Sequence, residues 1–194
     1  MNNIANERFV FIDTETGGVI PTKHSLLSVG LVIWEKSLGI IDKKEIFIKS
    51  KRYVVTEKAK SLNKFNREAH NKVAIEPTEA ISEILNFTRK YFDENTAIPI
   101  VGHNVQFDVN FLKQLFLKNN RSYNRYFSHR TIDTYSVFKT LVLAGKIRVN
   151  LNSSADAFKY FNIRVSERHS ALGDCIATVQ LYEKLIDLIK KGDD

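Results

Sequence analysis

The stretch Phe9-Val10-Phe11-Ile12-Asp13-Thr14-Glu15-Thr16-Gly17-Gly18 decides how the chain is read. Four apolar residues in a row fit a strand buried on both faces, as in the middle of an α/β sheet. Two carboxylates follow at once. Residues two apart on an extended chain point to the same side, so Asp13 and Glu15 can converge on one cation. Taken alone, Asp-x-Glu more often describes a polar strand end, here running into the turn Thr16-Gly17-Gly18.

Outward from this stretch the pattern alternates. Residues 26–34 and 45–48 read as second and third strands, expected as an antiparallel meander with the first. Residues 77–91 place Ala80, Ile81, Ile84, Leu85 and Phe87 at helical spacing, with Pro77 in the first turn. A strand over 98–101 ends at Gly102, and a helix is expected over 109–117. A short strand at 131–132 leads into a helix ending near Leu143. Helices are expected over 153–161 and 170–189, the last being the longest. The sum is a mixed α/β fold, a five-stranded sheet flanked by helices. At 194 residues the length fits a single domain over residues 1–194, its core covering about 8–188.

Two further segments carry acids at element boundaries. Gly102-His103-Asn104-Val105-Gln106-Phe107-Asp108 follows a strand and opens a helix. Asp108 there is favoured by the helix dipole, and for an isolated segment, helix capping by Asn104 or Asp108 is the commoner reading. Arg168-His169-Ser170-Ala171-Leu172-Gly173-Asp174 starts the last helix, with His169 on the lead-in and Asp174 one turn inside. Crowded carboxylates repel unless cations neutralise them, and oxygen-rich sites suit magnesium or manganese. Two such ions, roughly 3.5–4 Å apart, can clamp both oxygens of a phosphodiester displacement. Histidine titrates near neutrality and can take a proton from the attacking water.

At these residues the chain resembles the DnaQ-like exonucleases, the DEDDh branch of the DEDD superfamily. The resemblance is carried by Phe11-Ile12-Asp13-Thr14-Glu15-Thr16-Gly17, by His103-Asn104-Val105-Gln106-Phe107-Asp108, and by His169-x4-Asp174, in that order. The alternative branch has tyrosine four residues before the last acid, where this chain has Ser170. The resemblance implies an RNase H-like fold and a 3′→5′ exonuclease releasing 5′-mononucleotides. It implies two divalent cations, Mg2+ or Mn2+, held by Asp13, Glu15, Asp108 and Asp174, with His169 as general base. It also implies that the backbone around Thr14, Glu15 and Thr16 meets the terminal nucleotide, together with Asn104 and His169. Leu62 and Phe65, in a loop resembling the one that flanks the terminal base, are expected to stack or wedge there; both equally fit core anchors. Two departures stand out. Gly17-Gly18 falls where Thr-Gly is frequent, and the segment Asn150-Leu151-Asn152-Ser153-Ser154 has Ala155 where leucine is usual.

Composition agrees with a nucleic-acid partner. Net charge is +7 and the pI near 9.4, which favours polyanions. Basic residues cluster at Lys49-Ser50-Lys51-Arg52 and at Lys58, Lys60 and Lys64, and Arg121-Ser122-Tyr123-Asn124-Arg125-Tyr126 interleaves arginine with aromatics. Each could track phosphates or lie on a solvated surface. His24, His70 and His129 read as surface or turn residues. One cysteine, Cys175, excludes an internal disulfide and a cysteine zinc cluster and fits a reducing cytoplasm. No leader-like start or membrane-length apolar run is seen, so a cytoplasmic protein is expected. The expected partner is single-stranded nucleic acid, DNA before RNA, because the overall look is closest to proofreading-subunit domains. An RNA-trimming enzyme of the same family is the second expectation. A third is a subunit docked on a DNA polymerase, which the lack of a tail after the last helix weighs against.

Overall fold

The computed structural model describes residues 7–149, 153–165 and 169–190. Strand β1 (Arg8–Thr16) lies at the centre of a five-stranded sheet. It pairs antiparallel with β2 (Leu26–Glu35), which pairs antiparallel with β3 (Gly39–Phe47) at one edge. On its other side β1 pairs in parallel with β4 (Ile98–Gly102), and β4 in parallel with β5 (Phe127–Asp133). The meander and the mixed sheet are as expected.

The central strand sorts its side chains by alternation. Val10 and Ile12 join Val29, Leu31 and Ile33 beneath α3 (Pro77–Arg89) and α4 (Gln106–Lys118). Phe9 and Phe11 join Val32 and Trp34 beneath the long helix α7 (Ala171–Lys190). Burial on both faces is why this strand reads as a continuous apolar run. Helices α5 (Thr134–Leu143) and α6 (Ser154–Tyr160) pack on the far side of α7 through Phe138, Leu141, Phe158 and Leu181.

Some elements differ from expectation. Strand β1 continues through both acids to Thr16, and β3 begins at Gly39. The middle of this edge strand is polar, Asp42-Lys43-Lys44, and separates Ile40-Ile41 from Ile46-Phe47, so only its end reads as a strand. The segment expected as a loop, residues 55–66, contains a short helix, α1 (Glu57–Leu62), and a second, α2 (Arg67–Val73), follows it. Their caps explain them: Thr56 Oγ1 accepts from the Ala59 amide at 3.1 Å and Asn66 Oδ1 from the Ala69 amide at 2.9 Å. His70 is not a surface residue but buried, with its Nε2 3.1 Å from the Ile48 carbonyl. His24 is a buried turn residue whose Nδ1 accepts from the Ile20 amide at 2.9 Å. Residues 150–152, in the segment that departs at Ala155, and Arg168 lie outside the described residues.

Candidate active site

The acids of β1 lie on the α7 side of the sheet. Asp13 sits across from Gly30, and Glu15 across from Ser28, on β2. Thr14, between them, projects to the α4 side and donates from Oγ1 to Asp108 Oδ1 at 2.6 Å. Alternation along one strand thus addresses acids on both sides of the sheet.

Asp108 stands in the first turn of α4 and is only 3% exposed. The N-cap position itself is Val105, which offers no side-chain hydrogen bond. Burial pushes the Asp108 carboxyl up to about 7, against the lowering effect of hydrogen bonds from the Thr14 hydroxyl and from the Asp108 and Thr14 amides. Asn104 is exposed at φ +56°, and its amide donates to Asp133 Oδ1 at 2.8 Å. Asp133 also caps α5 through the Tyr135 amide, at 2.9 Å. The strand-to-helix turn is therefore pinned from β5.

Helix α7 reaches this end of the sheet because Gly30 has no side chain. A Cβ there would lie 2.3 Å from the Ala171 carbonyl oxygen and 2.6 Å from the Leu172 nitrogen. The start of α7 thus rests on β2 directly beside Asp13. The result is convergence: ligand atoms of Glu15, His169 and Asp174 all lie within 4.8 Å of one another. The buried Cys175 thiol registers the same crowding. It is pushed up first by burial and then by the charges of Asp13, Asp108 and Asp174. Gly30 carried no motif signal, because its role depends on Ala171, a neighbour far along the chain that only the folded structure brings near.

The rim is built by the loops beyond β1. Gly17 approaches Val54 so closely that a Cβ would stand 2.1 Å from its carbonyl oxygen. Thr16 is buried, with its hydroxyl on the Gly18 carbonyl at 2.9 Å. Its own carbonyl accepts from Asn63 Nδ2 at 3.0 Å, which ties the end of α1 to the acid-bearing strand. Leu62, beside Asn63, is half exposed and is no core anchor. Phe65 is partly buried between Tyr53 and His70, at ring distances of 5.2 and 5.3 Å.

The basic segments separate. Lys23, Lys49, Lys51, Arg52 and Lys118 line a cleft of about 580 Å³ between the loop after β1 and α4. Among the described residues lining it there is one acid, Glu76, which pairs with Lys49 at 3.3 Å. In the Arg121–Tyr126 segment, by contrast, Tyr123 is buried and stacks on Phe127 at 4.8 Å. That ring belongs to the core and is closed to a nucleobase.

The donor chemistry fits divalent ions. Glu15 and Asp174 converge with His169, and Asp108 adds a carboxyl that burial pushes up to about 7. A hard dication among these oxygens removes the repulsion and the desolvation cost together.

A model of the exonuclease family RNase_T matches residues 10–182. The chain belongs to this family, the DnaQ-like 3′→5′ exonucleases, and is a nuclease hydrolase. Members of the family generally use divalent metal ions. The chain is 27% identical to a Ribonuclease T of Wigglesworthia glossinidia brevipalpis, over 98% of this chain and 92% of that protein. It is 26% identical to a DNA polymerase III PolC-type of Thermotoga petrophila, over 98% of this chain but only 13% of that one. The chain thus spans a small part of the PolC-type relatives it matches. In fold it is similar to E. coli Exonuclease I in complex with a dT13 oligonucleotide, with a TM-score of 0.78 and 16% identity over 95% of this chain and 43% of the other. Cell-death related nuclease 4 superposes with a TM-score of 0.77 and 11% identity, over 95% of this chain and 65% of that one. Among the described residues no helix is long and apolar enough to cross a membrane.

Proposed function

We propose that the chain, acting as one exonuclease domain, removes 5′-mononucleotides from single-stranded or frayed 3′ ends in the cytoplasm. The observation that carries this reading is the convergence of Glu15, His169 and Asp174, with Asp13 on the same strand as Glu15 and the buried Asp108 tied to Thr14 between them. Asp13, Glu15, Asp108 and Asp174 hold two divalent ions, Mg2+ or Mn2+. When bound, these supply Lewis acidity and neutralise charge at the scissile phosphate. His169 takes the proton of the attacking water. Thr14 keeps the Asp108 carboxyl aimed inward through its hydroxyl. The rim at Thr14 to Thr16 and Asn104 seats the terminal nucleotide, with Leu62 wedging at its base. Phe65 flanks the base less directly, since Tyr53 and His70 occupy its neighbourhood. The basic cleft beyond Gly17 draws in the rest of the strand by its phosphates.

DNA is the first substrate, supported by similarity to a DNA polymerase III PolC-type chain. That similarity also supports a polymerase as partner. RNA is a second reading, favoured by the match to Ribonuclease T over nearly its whole length. Parallel degradation of DNA and RNA oligonucleotides, labelled at either end, tests polarity and sugar at once. A 5′-labelled strand should shorten stepwise, while a 3′ label should leave at once as a mononucleotide. Stepwise shortening from the 5′ end, or internal cuts, would refute the reading.

A further inference from the structure

Glu45 shares a cross-strand row with Asp13: Asp13 pairs with Gly30, and Gly30 with Glu45. Its carboxylate bridges two serines. Ser28 Oγ donates to Oε1 and Ser170 Oγ to Oε2, each at 3.2 Å. Ser28 is the cross-strand partner of Glu15, and Ser170 follows His169 directly. The Ser170 hydroxyl is used twice, because it also accepts from the Gly173 amide at 3.3 Å. Glu45 thus holds the start of α7 at the residue next to the histidine.

The geometry points to Glu45 as a positioning residue for His169, which it fixes through Ser170 in the orientation needed to accept a proton. This rests on the reading of His169 as the general base. Glu45 is not in the group of ligand atoms that converges within 4.8 Å, which comprises Glu15, His169 and Asp174. Both of its oxygens are engaged by serines. It therefore acts at one remove. His169 needs such a hold, since it sits at φ +64°, a conformation that side-chain-bearing residues avoid unless their surroundings impose it. Gly30 lets α7 come down onto the sheet, and Glu45 fixes its first residue there. Without the carboxylate, Ser170 keeps its bond to Gly173 but loses its tie to β3. His169 then spends less time aligned, while the surfaces that bind the strand are untouched.

The test compares Glu45→Ala, Glu45→Gln, Ser170→Ala and the double variant Glu45→Ala/Ser170→Ala, with His169→Ala as reference. The readout is single-turnover and steady-state hydrolysis of 5′-labelled oligothymidylate and oligouridylate in manganese. Glu45→Ala should lower kcat about tenfold or more with KM within about twofold, the signature of lost alignment rather than lost binding. Glu45→Gln should restore kcat to within about threefold, since a carboxamide can accept from one serine and donate to the other. The double variant should be no slower than the slower single, because both changes break one link. If Glu45→Ala does not fold, Ser170→Ala against Ser170→Thr carries the test, with threonine keeping the rate and alanine losing it. Wild-type kcat in Glu45→Ala, equal losses in Glu45→Ala and Glu45→Gln, or additive losses in the double variant would overturn the inference while leaving a dead His169→Ala to uphold the base. An active His169→Ala would overturn both.

Discussion

The Thr14 hydroxyl donates a 2.6 Å hydrogen bond to Asp108 Oδ1, joining the central strand to the first turn of α4 across 94 residues of sequence. Both partners are buried. The bond fixes an acid that faces the site from the opposite side of the sheet to Asp13 and Glu15.

Thr14→Val keeps shape and removes the donor. It should destabilise the fold by about 1–3 kcal/mol, the cost of leaving a buried acceptor unsatisfied, and slow hydrolysis about tenfold. Thr14→Ser should keep most of both. Urea titrations beside rate measurements check this; wild-type behaviour in Thr14→Val would remove the bond's importance.

Asp108 makes the metal-free protein sensitive to pH. Its folded pKa, raised by burial to about 7, stands above its ordinary value of 3.8. The folded state therefore holds this proton more tightly than the unfolded state does. The associated stability is fully present below about pH 4 and is lost as the pH rises to and through about 7. In EDTA, Asp108→Asn should flatten this loss, so that the variant melts higher than wild type at about pH 8 but not at about pH 4. Parallel melting curves across the window check it; curves of the same slope would contradict it.

Gly30→Ala puts a methyl group 2.3 Å from the Ala171 carbonyl oxygen. The start of α7 must lift, taking His169 and Asp174 from the β1 acids. A stability loss of about 1–3 kcal/mol, typical of overpacking, should accompany a much larger fractional loss of activity. Denaturant unfolding and initial rates on the same sample check this, and an active, stable variant would contradict it.

Lys51→Glu/Arg52→Glu reverses charge in the basic cleft. KM for long strands should rise, and the slope of log(kcat/KM) against log salt should become shallower. The change should be about 0.7 for each phosphate of a single strand that the cleft no longer neutralises. An unchanged slope would remove the cleft from the strand's path.

Much of this was legible in sequence because it is local. The Phe9–Ile12 run marks the central strand, and Asp13-x-Glu15 puts both acids on one side by alternation alone. Asp108 and Asp174 were found as acids at helix starts. What was hidden is long-range. Nothing near Thr14 reveals that its side chain, rather than its backbone alone, serves the site. Gly30 is an ordinary strand glycine until α7 lies on it, and Glu45 an ordinary edge-strand acid until Ser170 meets it. Helices α1 and α2 are too short for apolar periodicity to show, and only their caps at Thr56 and Asn66 hint at them. Tyr123 lies between arginines and reads as a surface aromatic, yet its ring completes the core against Phe127.

Carboxylates that work together through divalent ions must fail together when either the ions or one acid is removed. The most direct measurement is release of mononucleotides from a 3′-labelled strand by wild type and by folded Asp174→Ala, each in magnesium, manganese and EDTA. Wild type should be active in either metal and silent in EDTA, and Asp174→Ala should lose about a hundredfold or more in both metals. Full activity of wild type in EDTA, or of Asp174→Ala in metal, would contradict the shared metal site.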